Sequence, residues 1–126
     1  IAATIAFGHH LLDAQHLDRP ITAPVFLEEI APARTFGFYR DALPLMKKGL
    51  IKGSSLDNTV VITEEAFISR SGLRFPDEFV RHKILDLIGD LALLGRRLSA
   101  RIIAVKPGHG LNIDFVRKLS GILNEV

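Results

Sequence analysis

The stretch Phe75-Pro-Asp-Glu-Phe-Val-Arg-His-Lys-Ile-Leu-Asp-Leu-Ile-Gly-Asp90 constrains the fold more than any other part of the chain. Apolar spacing through Leu85, Ile88, Leu91 and Leu94 predicts one long amphipathic helix, closed at Gly95. Pro76 suits the first turn of that helix, and Asp77 and Glu78 suit the positive end of its dipole. An imidazole and two carboxylates, His82, Asp86 and Asp90, then fall at i, i+4 and i+8 along one stripe. Such groups avoid a core unless paired, so the stripe is either a solvated face or a site.

The 126 residues suit one ordinary domain with one core. Apolar residues make up 48% and charged residues 24%, a globular balance. The absence of cysteine excludes disulfides, thiolate metal sites and cysteine nucleophiles, and fits a cytoplasmic location. Net charge is only +2, and the basic residues form pairs (Lys47-Lys48, Arg96-Arg97, Arg117-Lys118) rather than a patch, so no nucleic-acid partner is expected. No apolar run reaches the length of a transmembrane segment. The opening Ile1-Ala-Ala-Thr-Ile-Ala-Phe7 lacks both an initiator Met and the basic region of a signal peptide; it reads as the start of a fragment.

Short strands and helices alternate along the chain. Residues 2–7 read as a strand ended by Gly8, and 23–31 as a short helix stopped at Pro32. A second short helix spans about 41–48 and ends in a left-handed cap at Gly49. A turn-rich loop at 53–58 leads into the β-branched strand 59–63; Glu64-Glu65 turns into a further strand near 66–70. After the long helix, 100–106 reads as a strand and 107–110 as a loop. Leu111, Phe115, Val116, Leu119, Ile122 and Leu123 mark a final amphipathic helix. The expected class is α+β: a two-layer sandwich with a small mixed sheet and two main helices on one face.

His-x₃-Asp on a helix sets two side chains about 6 Å apart at Cβ, close enough to share a cation. Imidazole plus carboxylate is a usual zinc pair, but a catalytic zinc takes three protein ligands. The pattern is weak by itself and occurs twice: His9 and Asp13 repeat it just after a strand, and there it reads as local capping or surface. Asp90, one turn beyond Asp86, is costly beside a second carboxylate unless a cation or imidazole is near. His109, flanked by Gly108 and Gly110, has backbone access and little packing. A carboxylate behind a loop histidine suits a general acid or electrostatic catalyst, whereas an exposed helix-entry residue is the plain alternative.

Four motifs occur in an order seen in one family: Ala33-Arg-Thr-Phe-Gly-Phe-Tyr-Arg-Asp41, Gly53-Ser-Ser-Leu-Asp-Asn-Thr-Val-Val61, Gly72 through Asp90, and Lys106-Pro-Gly-His-Gly-Leu-Asn112. The chain resembles the C-terminal domain of the zinc-dependent UDP-3-O-acyl-N-acetylglucosamine deacetylases of lipid A biosynthesis, over nearly its whole length. Even Thr4-Ile-Ala-Phe-Gly-His9 resembles that domain's first strand. The resemblance implies that His82 and Asp86 are two of three ligands to Zn2+. It implies that His109 is the catalytic histidine and Asp90 the carboxylate that orients it. Lys83 and Lys106 would lie near the nucleotide diphosphate of a UDP-acylglucosamine substrate, with Gly108, beside the histidine, also among the substrate-binding residues. Thr35 and Phe36 would contact substrate next to the metal. An inserted βαβ unit at about 38–62 would form a passage for the acyl chain, with Ala42, Leu45, Ile51, Leu56 and Thr59 as lining candidates.

Pro107, Gly110 and Thr59 depart from the residues common in that family, and Thr59 and the small Ala42 bear on the shape of the passage. The family's third zinc ligand and its general-base Glu lie in an N-terminal domain. No Glu here directly precedes a His, so neither Glu28-Glu29 nor Glu64-Glu65 supplies that motif. The expectation is half an active site, inactive alone, with an apolar face prone to self-associate where the other domain would sit. The alternative is a non-catalytic domain on the same fold that binds a nucleotide sugar or a partner; a Glu-His pair upstream of this segment would favour the enzyme.

Overall fold

The computed structural model describes residues 1–124. Strands β1 (Ala2–Ile5) and β2 (Gln15–Asp18) lead into a helical segment, α1 (Ala23–Val25), which continues as a π-helical turn over Phe26–Ile30. Next come β3 (Thr35–Phe38), α2 (Tyr39–Lys47), β4 (Thr59–Ile62) and β5 (Phe67–Ile68). The long helix α3 (Glu78–Leu91) runs on as a 3₁₀ turn at Ala92–Leu94, followed by β6 (Ile103–Val105) and α4 (His109–Asn124).

The expected small mixed sheet is in fact two, and the α+β class holds. One sheet has the order β2-β1-β6 and the other β3-β4-β5. Each central strand has one parallel and one antiparallel neighbour: β1 runs parallel to β6, and β3 parallel to β4. The strands β3 and β4, joined through α2, form a βαβ unit that begins at Thr35, ahead of the boundary expected near 38.

Helix α3 is what the two sheets share. It packs on β1, β2, β3 and the π turn, and α4 packs on α3. Phe79, Val80 and Ile84 are wholly buried and meet Ile5, Ile30, Val60 and Ile62 in one core. Each such large apolar side chain contributes about 1.5–3 kcal/mol on burial. Alternation in β4 buries Val60 and Ile62 and leaves Thr59 and Val61 half-buried, as a strand with one core face requires.

Several boundaries differ from expectation. Helix α3 starts at Glu78, so Pro76 lies before the helix and not in its first turn. Asp77 occupies the cap position, yet its carboxylate binds the Arg81 guanidinium at 2.6 Å instead of a backbone amide. Helix α2 begins two residues early, at Tyr39, and carries Pro44 within it. The first strand stops at Ile5, the strand near 66–70 shrinks to Phe67–Ile68, and that at 100–106 to Ile103–Val105. Gly49 adopts φ +71°, the left-handed cap expected of it, and Gly95, expected to close the long helix, adopts φ +66°.

A buried ion pair locks the lead-in to β3 onto the start of α3. The Glu78 carboxylate, wholly buried, accepts from the backbone and guanidinium of Arg34 and from the Arg74 amide. Burial pushes this carboxyl up, but the Arg34 guanidinium and the two amides outweigh it and hold it below its ordinary range.

Candidate active site

The π turn ends at Ile30, and the chain crosses α3 at Ala33 before entering β3. There the Ala33 carbonyl lies 3.1 Å from His82 Nδ1. A carbonyl only accepts, so Nδ1 carries the ring proton and Nε2 turns away from the backbone. Nε2 faces Asp86 Oδ1 at 3.2 Å, one helical turn along. Both side chains are about seven-eighths buried. Two acceptor atoms held this close call for a cation between them, a proton or a metal ion. Tetrahedral zinc bonds of about 2.0–2.1 Å would place adjacent ligand atoms roughly 3.3 Å apart. The pair therefore fits such an ion in spacing, in donor type and in the hydrogen bond that orients the imidazole.

Burial pushes the Asp86 carboxyl up, yet His82 and the Lys83 ammonium together hold it below its usual value. Lys83 Nζ sits 3.2 Å from Asp86 Oδ2 and 5.5 Å from the centre of the Phe36 ring. It is engaged locally, and a role at a phosphate would require it to swing outward.

Asp90 continues the stripe into a second contact. Its carboxylate lies 2.9 Å from His109 Nδ1, and it also accepts from the Asn112 amide at 2.9 Å. The carboxylate that looked costly beside Asp86 thus has an imidazole on it. His109 is the first residue of α4, exposed, with Nε2 pointing back to within 3.9 Å of Asp86 Oδ1. His82, Asp86, Asp90 and His109 therefore form one connected array across α3 and the start of α4.

Lys106 is exposed and adopts φ +49°, its amide donating to the Thr4 carbonyl at 2.7 Å. That bond fixes where the Pro107-Gly108-His109 segment leaves the β1–β6 sheet. Gly108 accepts the first α4 backbone bond, from Asn112. Phe36 lies edge-on to His82, ring centres 6.2 Å apart, and Thr35 precedes it on β3.

Beside Phe36 opens a cavity of about 530 Å³. Ala42, Leu45, Ile51, Leu56 and Thr59 all line it, and Thr35 and Phe36 stand on the same wall. The βαβ unit thus gathers the five lining candidates around one mostly apolar space. Residues that sequence spacing did not single out are Ala33, whose carbonyl orients His82; Glu78, which fixes Ala33 through its neighbour Arg34; and Asn112, which holds Asp90. Asn112 lies in the quoted Lys106–Asn112 motif, three residues after His109, and its i+3 spacing was the available signal.

The His9 reading needs correction. His9 is no surface residue: its side chain is 5% exposed, against the Phe38 ring at 5.4 Å. Local capping does occur, with the Leu11 amide 3.3 Å from His9 Nδ1. Asp13 is exposed.

Fold and site together define a class: an α+β domain that presents a close imidazole–carboxylate pair and a carboxylate-bound histidine on one helix pair. The chain belongs to the UDP-3-O-acyl N-acetylglycosamine deacetylase (LpxC) family, whose model matches residues 1–121. It is 48% identical over 94% of its length to the UDP-3-O-acyl-N-acetylglucosamine deacetylase of Myxococcus xanthus. It is 49% identical over 94% of its length to that of Thermodesulfovibrio yellowstonii, and 51% identical over 86% to that of Chlamydia pneumoniae. The matched segments cover 38%, 40% and 38% of those relatives, so the chain spans about two-fifths of their length.

Proposed function

We propose that the protein to which this segment belongs removes the N-acetyl group from a UDP-3-O-(3-hydroxyacyl)-N-acetylglucosamine, releasing acetate, as a cytoplasmic step of lipid A biosynthesis. The observation that carries this reading is the convergence of His82 Nε2, Asp86 Oδ1 and His109 Nε2 within a family of that name. Among the described residues no helix is long and apolar enough to cross a membrane.

His82 and Asp86 would hold zinc, with the third ligand and the general base supplied by the part of the relatives' length that this chain does not span. Zinc, when held there, supplies Lewis acidity toward the amide carbonyl and a water nucleophile. Hydrolysis forms one C–O bond and breaks the C–N bond, so the departing amine nitrogen must gain a proton. His109 is placed to give it. Its Nδ1 is tied to Asp90, which leaves Nε2 as the atom that holds the proton and faces the reacting centre. The same Nε2–H is placed to hydrogen-bond the oxygen that becomes negative during attack.

Thr35 and Phe36 line the approach between His82 and the apolar cavity, which would receive the acyl chain. Gly108 leaves room beside His109, and Lys106, with Lys83 once displaced from Asp86, supplies cations for the diphosphate. In the intact protein, His109→Ala lowers turnover by about 10²–10⁴-fold, the usual worth of a general acid. His82→Ala removes both zinc and activity. Unchanged turnover in either variant would refute the reading and favour a binding domain on the same fold.

A further inference from the structure

A second cluster of donors lies outside this site. His9, His10 and Glu64 bring three potential ligand atoms within 4.8 Å of one another, the one such group of three among the described residues. His9 follows β1, and Glu64 stands in the tight turn between β4 and β5, so the two sheets meet here. His9 Nε2 lies 3.7 Å and His10 Nδ1 3.8 Å from the same oxygen, Glu64 Oε2. Those spacings exceed the roughly 3.3 Å edge of a tetrahedral zinc site by a few tenths of an ångström, within reach of the exposed His10 and Glu64 side chains.

The telling atom is His9 Nε2. Its side chain is 95% buried, the nitrogen has no hydrogen-bond partner, and it is turned toward Glu64. A buried, unpaired ring nitrogen is costly, and a ligand would relieve that cost. The two imidazoles stack with ring centres 4.8 Å apart, and the Phe38 ring holds His9 in place.

We infer that His9, His10 and Glu64 form a second divalent-cation site, suited to a borderline ion such as Zn2+, with its remaining positions open to water. Two imidazoles and one carboxylate are a donor set that zinc accepts. The Arg40 guanidinium, 3.9 Å from the other Glu64 oxygen, leaves Oε2 as the ligating atom. Coordination through His9 Nε2 requires the ring proton on Nδ1, so binding gives up the long 3.3 Å contact from the Leu11 amide. The site is separate from His82 and Asp86 and does not depend on the reading of that pair.

The test is a Zn2+ titration of the intact protein against His10→Ala/Glu64→Gln, two exposed positions whose change leaves the core untouched. The double variant should bind one equivalent less than the unaltered protein, in both the His82 and the His82→Ala backgrounds. In ¹⁵N spectra of the unaltered protein, Zn2+ should move the His9 ring proton from Nε2 to Nδ1. Equal stoichiometry with and without the two substitutions, or a His9 ring indifferent to saturating Zn2+, would overturn the inference.

Discussion

His82 carries its proton on Nδ1 because the Ala33 carbonyl can only accept, and that single bond leaves Nε2 as the nitrogen free to bind the proposed metal. Ala33 is held in turn by the Arg34–Glu78 pair, whose side chains are 3% and 0% exposed. Glu78→Gln leaves a buried guanidinium uncompensated and should cost about 3–5 kcal/mol, read from urea denaturation. The same change should weaken zinc affinity by about 10–100-fold through the loosened Ala33 carbonyl.

Glu78 and Asp86 both sit below their ordinary carboxyl range when folded. As pH falls the unfolded chain therefore takes up their protons first. Their stabilisation is complete above about pH 5, begins to be lost as pH falls through the unfolded carboxyl values, and goes on falling through the folded ones. Denaturation midpoints at pH 7, 4 and 3 should fall in that order, and Glu78→Gln should flatten the decline. Asp90→Ala releases His109 and Asn112 together. It should lower kcat by about 10²-fold with little change in KM, since it acts on the proposed proton-transfer group rather than on ground-state binding.

At the scale of elements, α3 was legible from its period of apolar residues and from Gly95, while its start was not. The carboxylates of Asp77 and Glu78 are consumed by Arg81 and Arg34 rather than by the helix amides, so capping chemistry misplaced the first turn by two residues. The strands near 66–70 and 100–106 contracted for a different reason. Apolar composition reports β propensity, but only residues with a pairing partner join a ladder, and that partner is set by tertiary structure. The stripe His82–Asp86–Asp90 was readable because a helix converts spacing into a face. The nearness of His109 to Asp90 was expected through the family resemblance alone, because spacing cannot show that α4 packs against α3. The burial of His9 escaped because only the meeting of the two sheets produces it.

The βαβ unit makes its own prediction. Ala42→Phe places a large side chain on the wall of the 530 Å³ cavity. It should reduce kcat/KM severalfold for a long-acyl substrate and far less for a short-acyl analogue. Equal losses on both substrates would show that the cavity does not receive the chain.

On the scale of the whole molecule, a second cavity of about 410 Å³ runs between β6 and α4 and is lined by Leu98, Ile103, Val105, Leu111 and Phe115. Ile103 and Val105 are 70% and 62% exposed on an edge strand, and Leu111 is 59% exposed on the facing helix. An apolar face on a strand edge invites association. The isolated 126-residue chain should therefore show a mass above that of a monomer in light scattering, rising with concentration. A monodisperse monomer at all concentrations would count against this. Domain class and site polarity were evident in the sequence, whereas the extent of this face was not, because exposure is a property of the packed molecule.

The proposed site, with two metal ligands and an oriented histidine on this segment, would be completed elsewhere in the polypeptide. The most direct measurement is acetate release from a UDP-3-O-acyl-N-acetylglucosamine, with zinc present, by the 126-residue chain and by the intact protein side by side. The intact protein should turn over, its His82→Ala variant should not, and the isolated chain should show no turnover. Acetate release by the isolated chain, or by the intact His82→Ala variant at the unaltered rate, would contradict the proposal.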